Sequence, residues 1–140
     1  MRILFSCVGG PGHFLPLAPI AGAVAAAGHT VAVVSGPKVA DLVRRSGYES
    51  LTVGGDVDEA PRERGPLAPL DLERERDDVA NGFVRRAGRE RAARVIAHAE
   101  AWRPDLIVAD EVDFGAMIAA ERLGLPYATV VVLAAGSFLR

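Results

Sequence analysis

The chain has 140 residues, enough for one domain with a single core and little more. Half of the residues are hydrophobic and only 6% aromatic, which suits alternating strands and helices better than an aromatic-rich β-sandwich. A net charge of -2 gives no basic face for nucleic acid, and a lone cysteine, Cys7, rules out a disulfide framework and a cysteine zinc cluster.

Arg2 to Cys7 predicts a first strand around the apolar run Ile3-Leu4-Phe5. It leads into Gly9-Gly10-Pro11-Gly12-His13-Phe14-Leu15-Pro16, a glycine-rich turn with one histidine at its tip. Glycine admits positive φ and close backbone approach, so such a turn is sharp and open to a ligand. Proline suits a first helical turn, and Pro16 is expected to open an alanine-rich helix to Ala27 that Gly28 ends. Thr30 to Val34 is a β-branched strand; Lys38 to Arg45 is helical and stops at Gly47; Tyr48 to Val53 is a third, short strand. Composition then shifts. Gly54 to Asp78 is rich in Gly, Pro, Asp, Glu and Arg, and Pro61, Pro66 and Pro69 predict a long connection without a long helix. Val79 to Trp102 recovers a helix with Ala92, Val95, Ile96, Ala99 and Trp102 along one face. Arg85, Arg86, Arg89 and Arg94 on its other face read as solvated charges, since acids are interleaved nearby. Leu106 to Ala109 is a doubly buried strand, Asp113 to Leu123 a helix capped by Gly124, and Tyr127 to Leu133 a fifth strand.

This rhythm implies an α/β fold: a Rossmann-like, doubly wound parallel sheet in the order 3-2-1-4-5 with helices on both faces. Strands one and four are then neighbours at the topological switch point, where open α/β sheets hold their ligands. Two ionisable residues are aimed at that crevice, His13 after strand one and Asp110 after strand four. An aspartate beside an imidazole fixes its tautomer and stabilises the imidazolium formed when the other nitrogen takes a substrate proton. The bland alternative has equal standing: Asp110 only caps the helix that starts near Asp113.

Other chemistries fit the turn less well. A dinucleotide fingerprint needs a third glycine where Leu15 stands, and no lysine follows for a P-loop, so neither NAD nor ATP is expected as a cofactor. Asp110, Glu111 and Asp113 are acids at a helix start, more in keeping with caps and dipole partners than with magnesium. Cys7 reads as a small packed residue, and His29 and His98 as ordinary helix-end and helix-surface residues. Lys38 is the sole lysine among 16 basic residues, a bias of high-GC bacterial coding that says nothing about mechanism. No signal peptide precedes the first strand, and Ala18 to Ala27 is too short to span a bilayer, so a cytoplasmic protein without a membrane partner is expected.

Gly9-Gly10-x-Gly12-His13-x-x-Pro16, followed by an alanine-rich helix and Ala-Ala-Gly-His29, resembles the amino-terminal domain of GT-B glycosyltransferases. The likeness is strongest to bacterial enzymes that glycosylate macrolides, enediynes and other natural products. Pro104-Asp105-Leu106-Ile107-Val108-Ala109-Asp110 and Ala119-Ala120-Glu121-Arg122-Leu123-Gly124-Leu125-Pro126 resemble the same family's fourth strand and following helix. The resemblance implies that His13 deprotonates an acceptor hydroxyl and that Asp110 supports it. The reaction it implies is an inverting displacement on a UDP- or TDP-linked sugar, with no metal and no other cofactor. It makes residues 1–140 a single acceptor-binding domain, with the carboxy-terminal domain that binds most of the nucleotide sugar lying outside the chain.

On that expectation Gly10 and Gly12 lie near the donor phosphates. Phe14, Leu67, Leu70, Phe83 and Phe114 are the candidate contacts to a small-molecule acceptor, with Gly54 to Asp78 forming a wall of its pocket. Phe14, Phe114 and Phe138 are expected on an apolar face near the cleft, through which the isolated chain would self-associate. Two alternatives remain at this point. One is the related N-acetylglucosaminyl transferase of cell-wall assembly; the other is a non-catalytic nucleotide- or ligand-binding Rossmann-like module.

Overall fold

The computed structural model describes residues 1–53 and 69–131. Among these, five strands pair in parallel in the order β3-β2-β1-β4-β5. They are β1 (Arg2–Ser6), β2 (Thr30–Ser35), β3 (Glu49–Thr52), β4 (Leu106–Asp110) and β5 (Tyr127–Val130). The central strands β1, β2 and β4 are buried almost end to end, whereas β3 and β5 at the edges are partly exposed. A strand covered on both faces must be apolar in both directions, which is why the central runs lack alternation.

The pleat divides their side chains between two cores. Ile3, Phe5, Val31, Val33 and Val108 join Phe14, Leu17, Ala21, Val39 and Val43 beneath α1 (Pro11–Phe14), α2 (Ala18–Ala26) and α3 (Pro37–Arg45). Leu4, Ala32, Val34, Ile107 and Ala109 face Val95, Ala99, Trp102, Ala116, Ala119 and Ala120 of α5 (Gly88–Trp102) and α6 (Phe114–Leu123). Helices therefore cover both faces of the sheet, as the strand rhythm predicts.

Most strand and helix ends fall within a single residue of the sequence reading, and a few differ by more. The helix expected from Pro16 is split: α1 takes Pro11 in its first turn and ends at Phe14, and α2 begins only at Ala18. Pro16 has no N–H to continue the ladder of α1, so the chain breaks there instead of starting there. The predicted connection from Gly54 to Asp78 holds a helix at its end, α4 (Leu72–Asp77). The Asp71 side chain caps α4 by accepting from the amides of Glu73 and Arg74, a local device that stands in for the absent apolar face. A π-helical segment, Asp78–Ala87, then joins α4 to α5, so helix begins ahead of the expected Val79. The rest of the connection lies outside the described residues, as do Val132 and Leu133 of the expected fifth strand; β5 itself ends at Val130, short of the expectation.

Helices α5 and α6 approach tightly where Gly115 faces Arg91 and Ala92. A Cβ at Gly115 would lie 2.7 Å from Arg91 Cβ, 2.8 Å from Arg91 Cγ and 3.1 Å from the backbone nitrogen of Ala92. Gly115→Ala must therefore separate the two helices. It is expected to destabilise the chain by about 1–3 kcal/mol, read as a lower urea midpoint at unchanged slope.

Candidate active site

Ser6 pairs with Ala109 in the β1–β4 register, so the turns leaving these two strands start side by side at the carboxyl edge. Gly9 takes φ +70, a left-handed conformation that favours glycine, and turns the chain into α1. His13 sits in the last turn of that short helix, and its ring folds back over Gly9. A Cβ at Gly9 would stand 3.0 Å from the ring's Cδ2 and 3.2 Å from Nε2, so the glycine also makes room for the imidazole. Nδ1 of His13 is buried and lies 3.4 Å from Oδ2 of Asp110. That is ion-pair distance without the alignment of a full hydrogen bond, a looseness common where substrate is not bound. The ring as a whole keeps 31% of its surface exposed, so its open part lies away from Nδ1.

Asp110 is wholly buried. Its Oδ1 accepts from the Val112 amide at 2.9 Å, and its Oδ2 accepts from the Val8 amide at 3.1 Å. The N-cap of α6 is Asp113, three residues on, which accepts from the Ala116 amide at 3.0 Å, while Asp110 accepts within the turn ahead of it. Burial raises the Asp110 carboxyl above its ordinary value of 3.8. The Val112 and Val8 amides oppose that rise, the Asp113 charge adds to it, and His13 opposes it. Folded Asp110 thus holds its proton more tightly than unfolded Asp110. The stability this gives is complete below 3.8 and is lost as pH rises through the folded value. The stability of the native chain minus that of Asp110→Asn should accordingly fall as pH climbs from 3.8, measured by denaturant unfolding across acid pH.

Behind the pair lies a buried network that the sequence reading did not identify. Arg91, 9% exposed, forks onto Asp113 through Nε–Oδ1 and Nη2–Oδ2, both at 2.8 Å. The same Nη2 donates to the Cys7 carbonyl at 2.7 Å and reaches Ser6 Oγ at 3.2 Å. Ser6 Oγ in turn donates to Asp113 Oδ2 at 2.6 Å. A signal existed: Arg91 stands four residues before Val95, inside the apolar stripe of α5, where a guanidinium requires a buried anion. Arg85, Arg86, Arg89 and Arg94 are exposed, as their interleaving with acids predicts.

The other candidate residues fare unevenly. Phe14 is wholly buried and packs with Phe5, Leu17 and Val39 in the core under α1 to α3. It is a core residue, which corrects both its place among the acceptor contacts and its place on an apolar cleft face. Burying it is what anchors the one-turn helix that carries His13. Leu70 is 76% exposed and Phe114 half-buried at the start of α6. Leu67, Phe138 and the side chain of Phe83 lie outside the described residues. A Cβ at Gly10 or Gly12 would enter open space, and neither has positive φ, so contacts within the described residues do not demand glycine there. Asp113, one of the acids weighed for magnesium, has its carboxylate engaged by Arg91, Ser6 and the Ala116 amide. No helix among the described residues is long and apolar enough to cross a membrane.

The family described as "Erythromycin biosynthesis protein CIII-like, N-terminal domain" matches residues 22–137. The chain belongs to this family. The CIII-like domain is 32% identical to the L-demethylnoviosyl transferase of Streptomyces niveus over 133 residues, covering 91% of this chain and 33% of that enzyme. It is 28% identical to the 3-alpha-mycarosylerythronolide B desosaminyl transferase of Saccharopolyspora erythraea over 153 residues, covering 94% of this chain and 36% of that enzyme. The solved glycosyltransferase VinC in complex with dTDP matches with a TM-score of 0.70 and 26% identity, over 94% of this chain and 34% of that one. The CIII-like domain thus spans about one third of the length of the relatives it matches.

Proposed function

We propose that this chain is the acceptor-binding part of an inverting glycosyltransferase that moves a sugar from a TDP- or UDP-linked donor to a hydroxyl of a small-molecule natural product. The observation that carries the reading is the meeting of His13 Nδ1 and Asp110 Oδ2 at 3.4 Å, on the carboxyl edge of the sheet, in a chain of this family. Asp110 holds the proton of the neutral ring on Nδ1, which leaves the Nε2 lone pair for the acceptor. Nε2 takes the hydroxyl proton as the acceptor oxygen attacks the anomeric carbon. The bond from that carbon to the donor's diphosphate breaks, and the nucleoside diphosphate leaves with the electron pair. The imidazolium formed on His13 is stabilised by the Asp110 carboxylate. No metal or further cofactor enters this sequence of steps.

The donor is held chiefly by a second domain, in keeping with the one-third coverage of the relatives. Titration calorimetry with dTDP and with UDP tests that division. Neither nucleotide is expected to bind this chain in the micromolar range, whereas the full-length protein binds one of them there. Micromolar binding to the chain alone would contradict the reading and favour a self-contained nucleotide-binding module.

A further inference from the structure

We propose that Arg91 is a positioning residue for the His13–Asp110 pair, fixing the Cys7–Val8 peptide in the plane that directs its N–H at Asp110. One peptide unit is held at both ends. Its carbonyl, that of Cys7, accepts from Arg91 Nη2 at 2.7 Å, and its N–H, that of Val8, donates to Asp110 Oδ2 at 3.1 Å. The oxygen that receives this bond is the one 3.4 Å from His13 Nδ1. Because a peptide unit is planar, a turn of the carbonyl swings the N–H with it, and the carboxylate follows the N–H. A charged donor on the carbonyl also polarises the unit and strengthens its N–H as a donor.

The guanidinium is itself immobilised. Its fork to Asp113 fixes its plane, and its stem presses against α6 where Gly115 has no Cβ. It holds the turn after β1 to the turn after β4, and its charge offsets that of Asp113, the second carboxylate acting on Asp110. Lysine, a point charge with no fork, cannot hold Asp113 and the Cys7 carbonyl in that geometry. The inference rests on the catalytic reading above, but its test does not need a substrate.

The chain has three histidines, so the ring signals of His13, His29 and His98 can be followed separately by NMR in the 15N-histidine-labelled protein. The informative variant is Arg91→Met with Asp113→Asn. It removes one charge of each sign, and asparagine can still cap α6. Among the described residues the Asp113 charge acts on Asp110 and Arg91 pairs with Asp113, so this variant takes out both charges together. With the carboxylate no longer aimed at Nδ1, the 15N ring signals of His13 should move. Its neutral ring should lose its preference for the proton on Nδ1, while His29 and His98 stay unmoved. Arg91→Lys should give the same changes at smaller size, and carries the test alone if the double variant does not fold. A folded variant in which His13 keeps its tautomer and its ring signals overturns the proposal, as does an equal movement of the signals of all three histidines. Turnover of His13→Ala in the full-length protein separates this from the reading beneath it. An inactive His13→Ala with an unmoved His13 signal in the Arg91 variants removes only the positioning role. A fully active His13→Ala removes both.

Discussion

Replacing His13 with alanine in the full-length protein should lower turnover of an alcohol acceptor on the order of 10²–10⁴-fold, the range for a lost general base. An alcohol is a poor nucleophile until its proton leaves, and among the described residues His13 is the partly exposed base at the switch point, with a buried carboxylate on its far nitrogen. The loss should fall on kcat, since a general base acts on the acceptor proton in the transition state and contributes little to ground-state binding. Initial rates of nucleoside diphosphate release with an alcohol acceptor, at saturating donor, measure it. An unchanged KM for donor beside the fallen kcat is the expected pattern.

Asp113→Ala should cost about 3–5 kcal/mol of folding stability, the range for breaking a buried ion pair by removing one partner. The Arg91 guanidinium would lose the carboxylate it forks onto, and the Ser6 hydroxyl and the Ala116 amide would lose their acceptor. A domain of this size has a net stability of about 5–15 kcal/mol, so the variant stands near the edge of folding at ordinary temperature. Removing both charges with apolar groups of similar volume, as in Arg91→Met with Asp113→Leu, should recover much of that loss. Urea unfolding of the single and double variants gives the comparison. A single variant within 1 kcal/mol of the native chain would mean that Arg91 finds a partner or reaches water when Asp113 is gone.

The sheet was legible in the sequence because its strands are uniform apolar runs. Ile3-Leu4-Phe5, Thr30 to Val34 and Leu106 to Ala109 are buried on both faces, and their spacing leaves one right-handed winding. His13 was legible as a residue aimed at the switch point because glycines and a proline surround it. The function of Asp110 was not decided by its position, since a cap and a histidine partner both call for an aspartate there. The geometry assigns the cap to Asp113, three residues on, and such an assignment depends on backbone angles that residue types leave free. Arg91 was hidden for another reason. Its partners, Ser6 with Cys7 and Asp113, come from two places far apart in the chain, and pairing across such distances exists only once the layers are stacked. Phe14 was misread because an aromatic beside an open glycine turn suits a ligand and a core equally well, and only the direction of the one-turn helix decides between them.

The central claim, that His13 is a base and not merely a wall of the pocket, is tested by changing the acidity of the acceptor. In the full-length protein the native enzyme and His13→Ala would be compared on an aliphatic alcohol and on 4-nitrophenol at a pH where the phenol is already ionised. A missing base matters only to an acceptor that still holds its proton. The account predicts a loss of about 10²–10⁴-fold on the alcohol and less than about 10-fold on the phenolate. Equal losses on the two acceptors, or none on the alcohol, would contradict it.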